Sequence, residues 1–109
     1  MNAQTNDQTP IYSDFGDDED FAEIVEAFAN DLPERVVSVE QAYQDQDWDS
    51  LNRLAHQLKG ACGSYGFHEL TPFAFALERA ARDENIEQIE KALNEFVGVC
   101  QRVRTGAAP

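Results

Sequence analysis

Residues 56–66 read HQLKGACGSYG, and their spacing predicts a helix with two distinct faces. At about 100° per residue, one face carries a polar and glycine-rich set: His56, Lys59, Gly60 and Gly63. The opposite face carries an apolar set that begins ahead of this segment: Leu51, Leu54, Leu58, Cys62 and Tyr65. We therefore expect the apolar side chains to enter a core and the imidazole of His56 to face solvent.

The two glycines on the histidine face are the most informative residues of this helix. A glycine inside a helix costs about 0.5–1 kcal/mol relative to alanine. Gly60 and Gly63 predict that another molecule approaches closely beside His56. Lys59 places a positive charge one turn from the ring, which suits an imidazole that carries a phosphoryl group. The alternative is a solvated histidine followed by glycines that unwind the helix, but the apolar spacing continues unbroken through Tyr65.

The pattern His-x-Leu-Lys-Gly at residues 56–60, followed by small residues up to Gly66, resembles the histidine-containing phosphotransfer (HPt) domain of two-component phosphorelays. Three earlier residues also fit the start of the family's helix: Leu51, Leu54 and Ala55. The resemblance covers about residues 18–104. One departure is Tyr65, where the family more usually has an aliphatic residue, and we interpret it as a larger core filler.

This resemblance implies that the chain is a phosphocarrier. His56 would accept a phosphoryl group from a receiver-domain aspartate and pass it to another receiver aspartate. The implied partners are receiver domains and a hybrid histidine kinase, and the receiver would supply an acidic pocket with Mg²⁺. The chain itself is expected to need no cofactor and to be no kinase, because it has no glycine-rich phosphate loop and no room for an ATP-binding domain.

The resemblance also assigns supporting residues. In the family a glutamine or glutamate 22 residues after the histidine commonly binds the imidazole, and Glu78 holds that position here. It would accept a hydrogen bond from Nδ1 and leave Nε2 as the nucleophile. Lys59 would stabilise the phosphoryl charge and tune its lifetime, and Arg82 could meet the phosphoryl group or the partner. The expected partner-binding surface, which the start of the first helix could extend, consists of small or polar residues: Gln57, Gly60, Gly63, Ser64 and Ala74.

The composition is that of one globular domain, with 109 residues of which 42 % are hydrophobic. The net charge of −13 argues against nucleic acid as a partner. No apolar run approaches the ~20 residues that span a bilayer, and the polar N-terminus lacks a signal peptide, so we expect a cytoplasmic protein. Cys62 and Cys100 are expected to be reduced core residues, with a disulfide between them as the alternative. No cysteine and histidine spacing predicts a zinc site.

Charge is distributed unevenly along the chain. Residues 1–50 hold 14 of the 21 acidic residues and one basic residue, Arg35. Residues 51–109 hold seven acidic and seven basic residues. The half that contains His56 is therefore electrically balanced, which suits docking against an acidic partner site, although acidic helices are also simply soluble.

Four apolar stripes with helical spacing predict the secondary structure. The first spans about residues 18–46 and contains Pro33, which could bend one long helix or start a second one. The second helix has Asp47 as its N-cap and ends at about Tyr65, where Gly66 stops it. The remaining two helices begin near Pro72 and at Ile86, and the last one runs to about Arg104. His68, at the junction before the third helix, is interpreted as a surface or capping residue and not as a second phosphorylation site.

These helices predict an all-α, antiparallel up-down-up-down four-helix bundle, with an extra N-terminal helical segment or a kink near Pro33. Residues 1–17 are expected to form a flexible polar tail and residues 105–109 a second tail. Three residues of the first tail could pack back onto the bundle: Ile11, Tyr12 and Phe15. Every stripe is used within one bundle, so we expect a monomer.

Other classes of function remain as alternatives. A non-phosphorylated helical adaptor that binds a receiver domain or a histidine kinase would keep the same surface without needing His56. A metal- or haem-binding bundle would point its ligands inward, whereas His56 is expected to point outward. A hydrolytic enzyme would need a serine or cysteine beside a histidine and an orienting acid, and no such set is evident.

Overall fold

The protein is described here by a computed structural model that covers residues 8–109. It contains four helices and a short 3₁₀ turn at His68–Leu70: α1 (Ala22–Gln44), α2 (Trp48–Ser64), α3 (Thr71–Arg82) and α4 (Ile86–Cys100). Each helix packs on the next one along the chain, and α1 also contacts α4. The predicted all-α four-helix bundle is confirmed, and the one β-type pairing in the described range is an isolated bridge between Ile11 and Val103.

The apolar face predicted for α2 lies in the core. Leu51, Ala55, Leu58 and Cys62 are buried, and Leu54 and Tyr65 pack partly buried against them. Tyr65 is the larger core filler that the sequence predicts, because its ring stacks on Phe28 of α1 with the ring centres 4.7 Å apart. Burying this face of α2 leaves the histidine face outside.

The first helix begins later than its stripe predicts. Asp18 forms a turn in which its side chain accepts a hydrogen bond from the backbone of Asp20 at 2.9 Å, so α1 starts only at Ala22. The predicted start near residue 18 is therefore about one turn too early. Pro33 lies inside α1 and does not start a second helix, since the helix continues across it to Gln44.

Both ends of α2 follow the sequence. The side chain of Asp47 accepts a hydrogen bond from the backbone of Ser50 at 3.1 Å, which satisfies one of the free N–H groups at the start of the helix. At the other end, Gly66 adopts a φ of 84°, a left-handed conformation that ends the helix and that glycine tolerates best. Pro72 lies in the first turn of α3, as predicted.

The last helix ends at Cys100 and not near Arg104. The reason is a contact that is distant in sequence. The backbone of Ile11 donates a hydrogen bond to Arg102 at 2.8 Å, and the backbone of Arg104 donates one to Ile11 at 2.9 Å. Because of these bonds, the chain leaves the helix after Cys100 and pairs with the backbone of Ile11.

The N-terminal strap, residues 9–16, is packed where the sequence predicts a flexible tail, and Ile11 and Phe15 pack onto the bundle as the sequence allowed. Ile11 is only 2 % exposed, and the hydroxyl of Ser13 donates a hydrogen bond to the Tyr65 carbonyl at 2.6 Å. A side chain on Gly16 would collide with the backbone of Gly106, so the two predicted tails touch there. The packed region therefore begins before residue 18, and the C-terminal segment approaches the strap at Gly106. Residues 1–7 of the predicted tail lie outside the described residues.

The two cysteines are free thiols. No Cα atom of α2 lies within 8 Å of one in α4, which is too far for a disulfide between Cys62 and Cys100. Burial raises the pKa of the Cys62 thiol to about 12 and also raises that of Cys100. Both side chains are therefore protonated core residues. None of the described helices combines the length and the hydropathy needed to cross a membrane.

Candidate functional site

His56 lies midway along α2 on its exposed face, with 65 % of its side chain accessible. Its Nδ1 atom is 2.7 Å from Oε2 of Glu78, a residue of α3 whose side chain is only 14 % exposed. A carboxylate can only accept a hydrogen bond, so this contact places the ring proton on Nδ1. Nε2 then carries the free lone pair of the ring.

A second contact holds Glu78 in place. The side chain of Asn52, one turn before His56 on the same helix, donates a hydrogen bond to the backbone carbonyl of Glu78 at 2.9 Å. This bond ties α3 to α2 at the level of the imidazole. Asn52 was missed from the sequence, although its spacing of four residues from His56 places it on the same helix face.

Lys59 reaches the same carboxylate. Its Nζ atom lies 2.8 Å from Oε1 of Glu78, so Glu78 bridges the imidazole and the ammonium group. The distance is that of a hydrogen bond but the angles are not, and Oε1 is a buried atom that receives no well-directed hydrogen bond within the described range. The contact is therefore a close ion pair whose geometry is poor for a hydrogen bond.

The pKa of Glu78 reflects this arrangement. The polar contact with Lys59 is the largest cause that lowers the pKa of the carboxyl below its ordinary value. Partial burial raises the pKa, and the contact with His56 lowers it again. The net direction is downward, so the carboxyl stays ionised beside both of its neighbours.

Phe75 completes the group and was missed from the sequence. The ammonium of Lys59 lies 5.2 Å from the centre of the Phe75 ring, and the guanidinium of Arg79 lies 5.7 Å from it. The ring is nevertheless 43 % exposed. The signal was present in the spacing, because Phe75 stands outside the apolar stripe of α3 and one turn before Glu78.

Arg82 does not join this group. Its nearest acidic partner is Asp83, with 3.9 Å between Arg82 Nε and Asp83 Oδ1, and its side chain is 62 % exposed. In residues 8–109 no hydrogen bond or ion pair links Arg82 to His56 or Glu78. The basic residue of α3 that approaches the site is Arg79, through the Phe75 ring.

The glycines of the histidine face have no packing role inside the molecule. A Cβ atom on Gly60 would meet nothing within 4 Å, and one on Gly63 would make an ordinary 3.8 Å contact with Thr71. Gln57 and Ser64 are exposed beside them. Ala74 is fully buried, so the prediction that it lies on this surface is wrong: it packs on the core side of α3.

His68 offers an internal comparison. Its side chain is 68 % exposed, as predicted for a surface residue, and its Nδ1 lies 2.7 Å from Oδ2 of Asp14 in the N-terminal strap. This imidazole–carboxylate contact resembles that of His56, but it includes no lysine. No group of three or more metal-ligating side chains that could hold an ion is found in the part of the chain that the structure describes.

A comparison with protein-family models matches residues 23–106 to the Hpt domain, which is more than half of the chain. The chain belongs to the Hpt domain family. Neither curated proteins nor solved structures gave a match in the other two comparisons. Hpt domains carry phosphoryl groups in two-component phosphorelays, where they interact with receiver domains and kinases. The matched range contains His56, Lys59 and Glu78, whereas the N-terminal strap lies outside it.

Proposed function

We propose that this Hpt domain is a phosphorelay intermediate in which Nε2 of His56 receives a phosphoryl group from a receiver aspartate and later gives it to another. The observation that carries the proposal is the 2.7 Å contact between Nδ1 and the Glu78 carboxylate. It fixes the tautomer and the ring orientation, and it leaves Nε2 exposed to a partner. A receiver of a hybrid histidine kinase is the donor that we expect, and the carrier acts as a monomer.

The atoms and electrons of the proposed transfer balance without a cofactor bound to this chain. The Nε2 lone pair attacks the phosphorus of the aspartyl phosphate, and the Nε2–P bond forms as the P–O bond breaks. The receiver carboxylate leaves with the electron pair, next to the Mg²⁺ that the receiver would hold. The ring proton stays on Nδ1, where Glu78 offsets the positive charge that develops on the imidazole.

Lys59 supports the charge of the transferred group. A pair of unit charges at ~4 Å is worth about 1 kcal/mol in water and about 4 kcal/mol at an effective dielectric of 20. The Lys59 side chain is partly exposed, which places its effect nearer the lower figure. Replacing Lys59 should therefore change the rate of transfer and the lifetime of phosphohistidine without abolishing phosphorylation, whereas replacing His56 should abolish it.

The open helix face around Gly60 and Gly63 is the docking surface of the proposal. Neither glycine is needed for internal packing, so their cost in helix stability is explained by the close approach of a partner. A Gly60→Arg variant should fold but fail to exchange phosphoryl groups with a receiver. Normal exchange by a folded Gly60→Arg variant would remove this face from the proposal.

The decisive assay is transfer from a phosphorylated receiver domain to the wild type, His56→Gln and His68→Gln. His68→Gln is the matched control, because it also removes an exposed histidine with a carboxylate at Nδ1. We expect acid-labile, alkali-stable label on the wild type and on His68→Gln, and none on His56→Gln. Binding to a receiver without label on any form would favour the adaptor function.

A further inference from the structure

The side chain of Lys59 is less exposed than that of its neighbour His56. The Lys59 side chain is 29 % exposed, although it lies on the solvent face of α2 beside a histidine that is 65 % exposed. Two groups from α3 account for the difference. Glu78 lies 2.8 Å from the ammonium group on one side, and the Phe75 ring lies 5.2 Å from it on another.

Phe75 is a partly exposed aromatic residue that contacts two cations. It is one of five large apolar residues exposed in the described range, and the one among them that belongs to α3. Two cations lie near its ring: the ammonium of Lys59, which comes from α2, and the guanidinium of Arg79, which lies one turn further along α3. Both contacts use the electron-rich ring, so Phe75 is placed to orient the two cations.

The contact between Lys59 and Glu78 is suited to exchange. The two groups attract as charges, but the buried Oε1 receives no well-directed hydrogen bond. The ammonium group therefore keeps N–H donors for another acceptor. A phosphoryl group on Nε2 of His56 carries more negative charge than one carboxylate and offers three oxygen acceptors.

We propose that Phe75 is a positioning residue: together with Glu78 it holds Lys59 in reserve while His56 is unphosphorylated, and Lys59 leaves the ring for the phosphoryl oxygens once His56 is modified. This rests on the proposed function of His56. The same movement removes one of the two cations from Phe75. The docking surface then presents a barer aromatic ring in the phosphorylated form, so a receiver meets two different surfaces before and after transfer.

The test uses the lysine side-chain signals in the nuclear magnetic resonance spectrum of the full chain labelled with ¹³C-lysine. The sequence contains two lysines, so Lys91 on the exposed face of α4 serves as the internal reference. In the unphosphorylated protein the Lys59 ε-methylene protons should be shifted upfield of those of Lys91 by the ring of Phe75. Phe75→Leu should abolish that shift, whereas Phe75→Trp, which keeps an aromatic ring at this position, should show an upfield shift.

Phe21→Leu is the matched control, because Phe21 is 42 % exposed and lies in no cation contact in the described structure. It should leave the Lys59 shift unchanged. Coincident Lys59 and Lys91 signals in the unphosphorylated wild type would overturn the proposal, as would retention of the shift in Phe75→Leu.

The release of Lys59 is tested with phosphoramidate as the phosphoryl donor on His68→Gln, in which His56 is the one remaining histidine. Phosphorylation should return the Lys59 signal to the position of Lys91, and a Lys59 signal that keeps its upfield shift in phosphorylated protein would contradict the release. Because no receiver is present, this result is independent of whether receivers use His56. Failure of receiver transfer with an intact Lys59 response would refute the proposed function alone.

Discussion

At the scale of single residues, the carboxylate of Glu78 organises the site because it contacts two groups at once. It accepts from Nδ1 of His56 at 2.7 Å through one oxygen and lies 2.8 Å from Lys59 through the other. Asn52 donates a hydrogen bond to the backbone carbonyl of Glu78. This bond holds the backbone of Glu78 against α2 and so helps to position the carboxylate.

The first prediction concerns the stability of the protein at acidic pH. The pKa of Glu78 is lowered in the folded protein, chiefly by Lys59, from an ordinary value of 4.5. The stability that this charge contributes is therefore fully present above that value and is lost as the pH falls through the lower pKa of the folded state. Glu78→Gln keeps an acceptor for Nδ1 but removes the charge. The difference in unfolding free energy between the wild type and Glu78→Gln should shrink as the pH falls below about 4.5.

Urea denaturation at a series of pH values measures this difference. Glu95→Gln, a substitution on the exposed surface of α4, is the control and should show a difference from the wild type with little dependence on pH. A difference for Glu78→Gln that stays constant through the acid range would show that the carboxyl gains nothing from its contacts.

Much of this residue-level site could be predicted from the sequence. The face shared by His56 and Lys59 followed from helical periodicity, and Glu78 followed from the family resemblance. The attachment of Lys59 to Glu78 could not be predicted, because periodicity fixes the face of a helix but not where a long side chain settles. Phe75 was missed because it lies outside the apolar stripe of α3, and helical periodicity assigns a role only to the residues of the stripe.

At the scale of helices, the glycines of α2 and α4 provide a comparison within one protein. Gly60 in α2 and Gly98 in α4 are both exposed helix residues, and a Cβ atom on either would meet nothing within 4 Å. Each should therefore cost the fold a similar amount. They differ in that Gly60 lies one turn from His56 and Gly98 lies on another helix.

The second prediction follows from this pair. Gly60→Ala and Gly98→Ala should each raise the unfolding free energy by about 0.5–1 kcal/mol, because alanine favours the helix and meets no obstacle. Only Gly60→Ala should slow phosphotransfer from a receiver, since its methyl group occupies space needed by the partner. Equal transfer rates for the two variants would mean that Gly60 is not kept for docking.

The ends of helices were predictable where the signal is local. Asp47 as an N-cap and Gly66 as a stop depend on residues within one turn, and both were predicted from the sequence. The start of α1 and the end of α4 were not, because a turn at Asp18 and a pairing with Ile11 replace helical bonds there. The second of these contacts joins opposite ends of the chain, which no local pattern reports.

At the scale of the whole molecule, the N-terminal strap closes the bundle. Ile11 enters the core, Ser13 bonds to the carbonyl at the end of α2, and Asp14 pairs with His68. The strap thereby connects the segment after α4 to the end of the helix that carries His56. The sequence indicated that Ile11 and Phe15 could pack onto the bundle, but not the hydrogen bonds that join the strap to residues distant in sequence, because no local pattern reports them.

The third prediction tests that closure. Ile11→Ala should lower the unfolding free energy by about 2–5 kcal/mol, as truncation of a buried isoleucine does. Val37→Ala removes apolar atoms from a residue that is 61 % exposed, so its effect should stay within about 0.5 kcal/mol. Chemical denaturation of both variants gives the comparison. An Ile11→Ala effect as small as that of Val37→Ala would show that the strap does not contribute to the fold.

The central claim is that Glu78 makes Nε2 of His56 the phosphoryl carrier. The most direct measurement is ring-nitrogen magnetic resonance of ¹⁵N-histidine-labelled protein, before and after transfer from a phosphorylated receiver. We expect the proton of the His56 ring on Nδ1 beforehand and coupling between ¹⁵N and ³¹P at its Nε2 afterwards, with the His68 signals unchanged. Phosphorus on Nδ1 of His56 or on His68 would contradict the account.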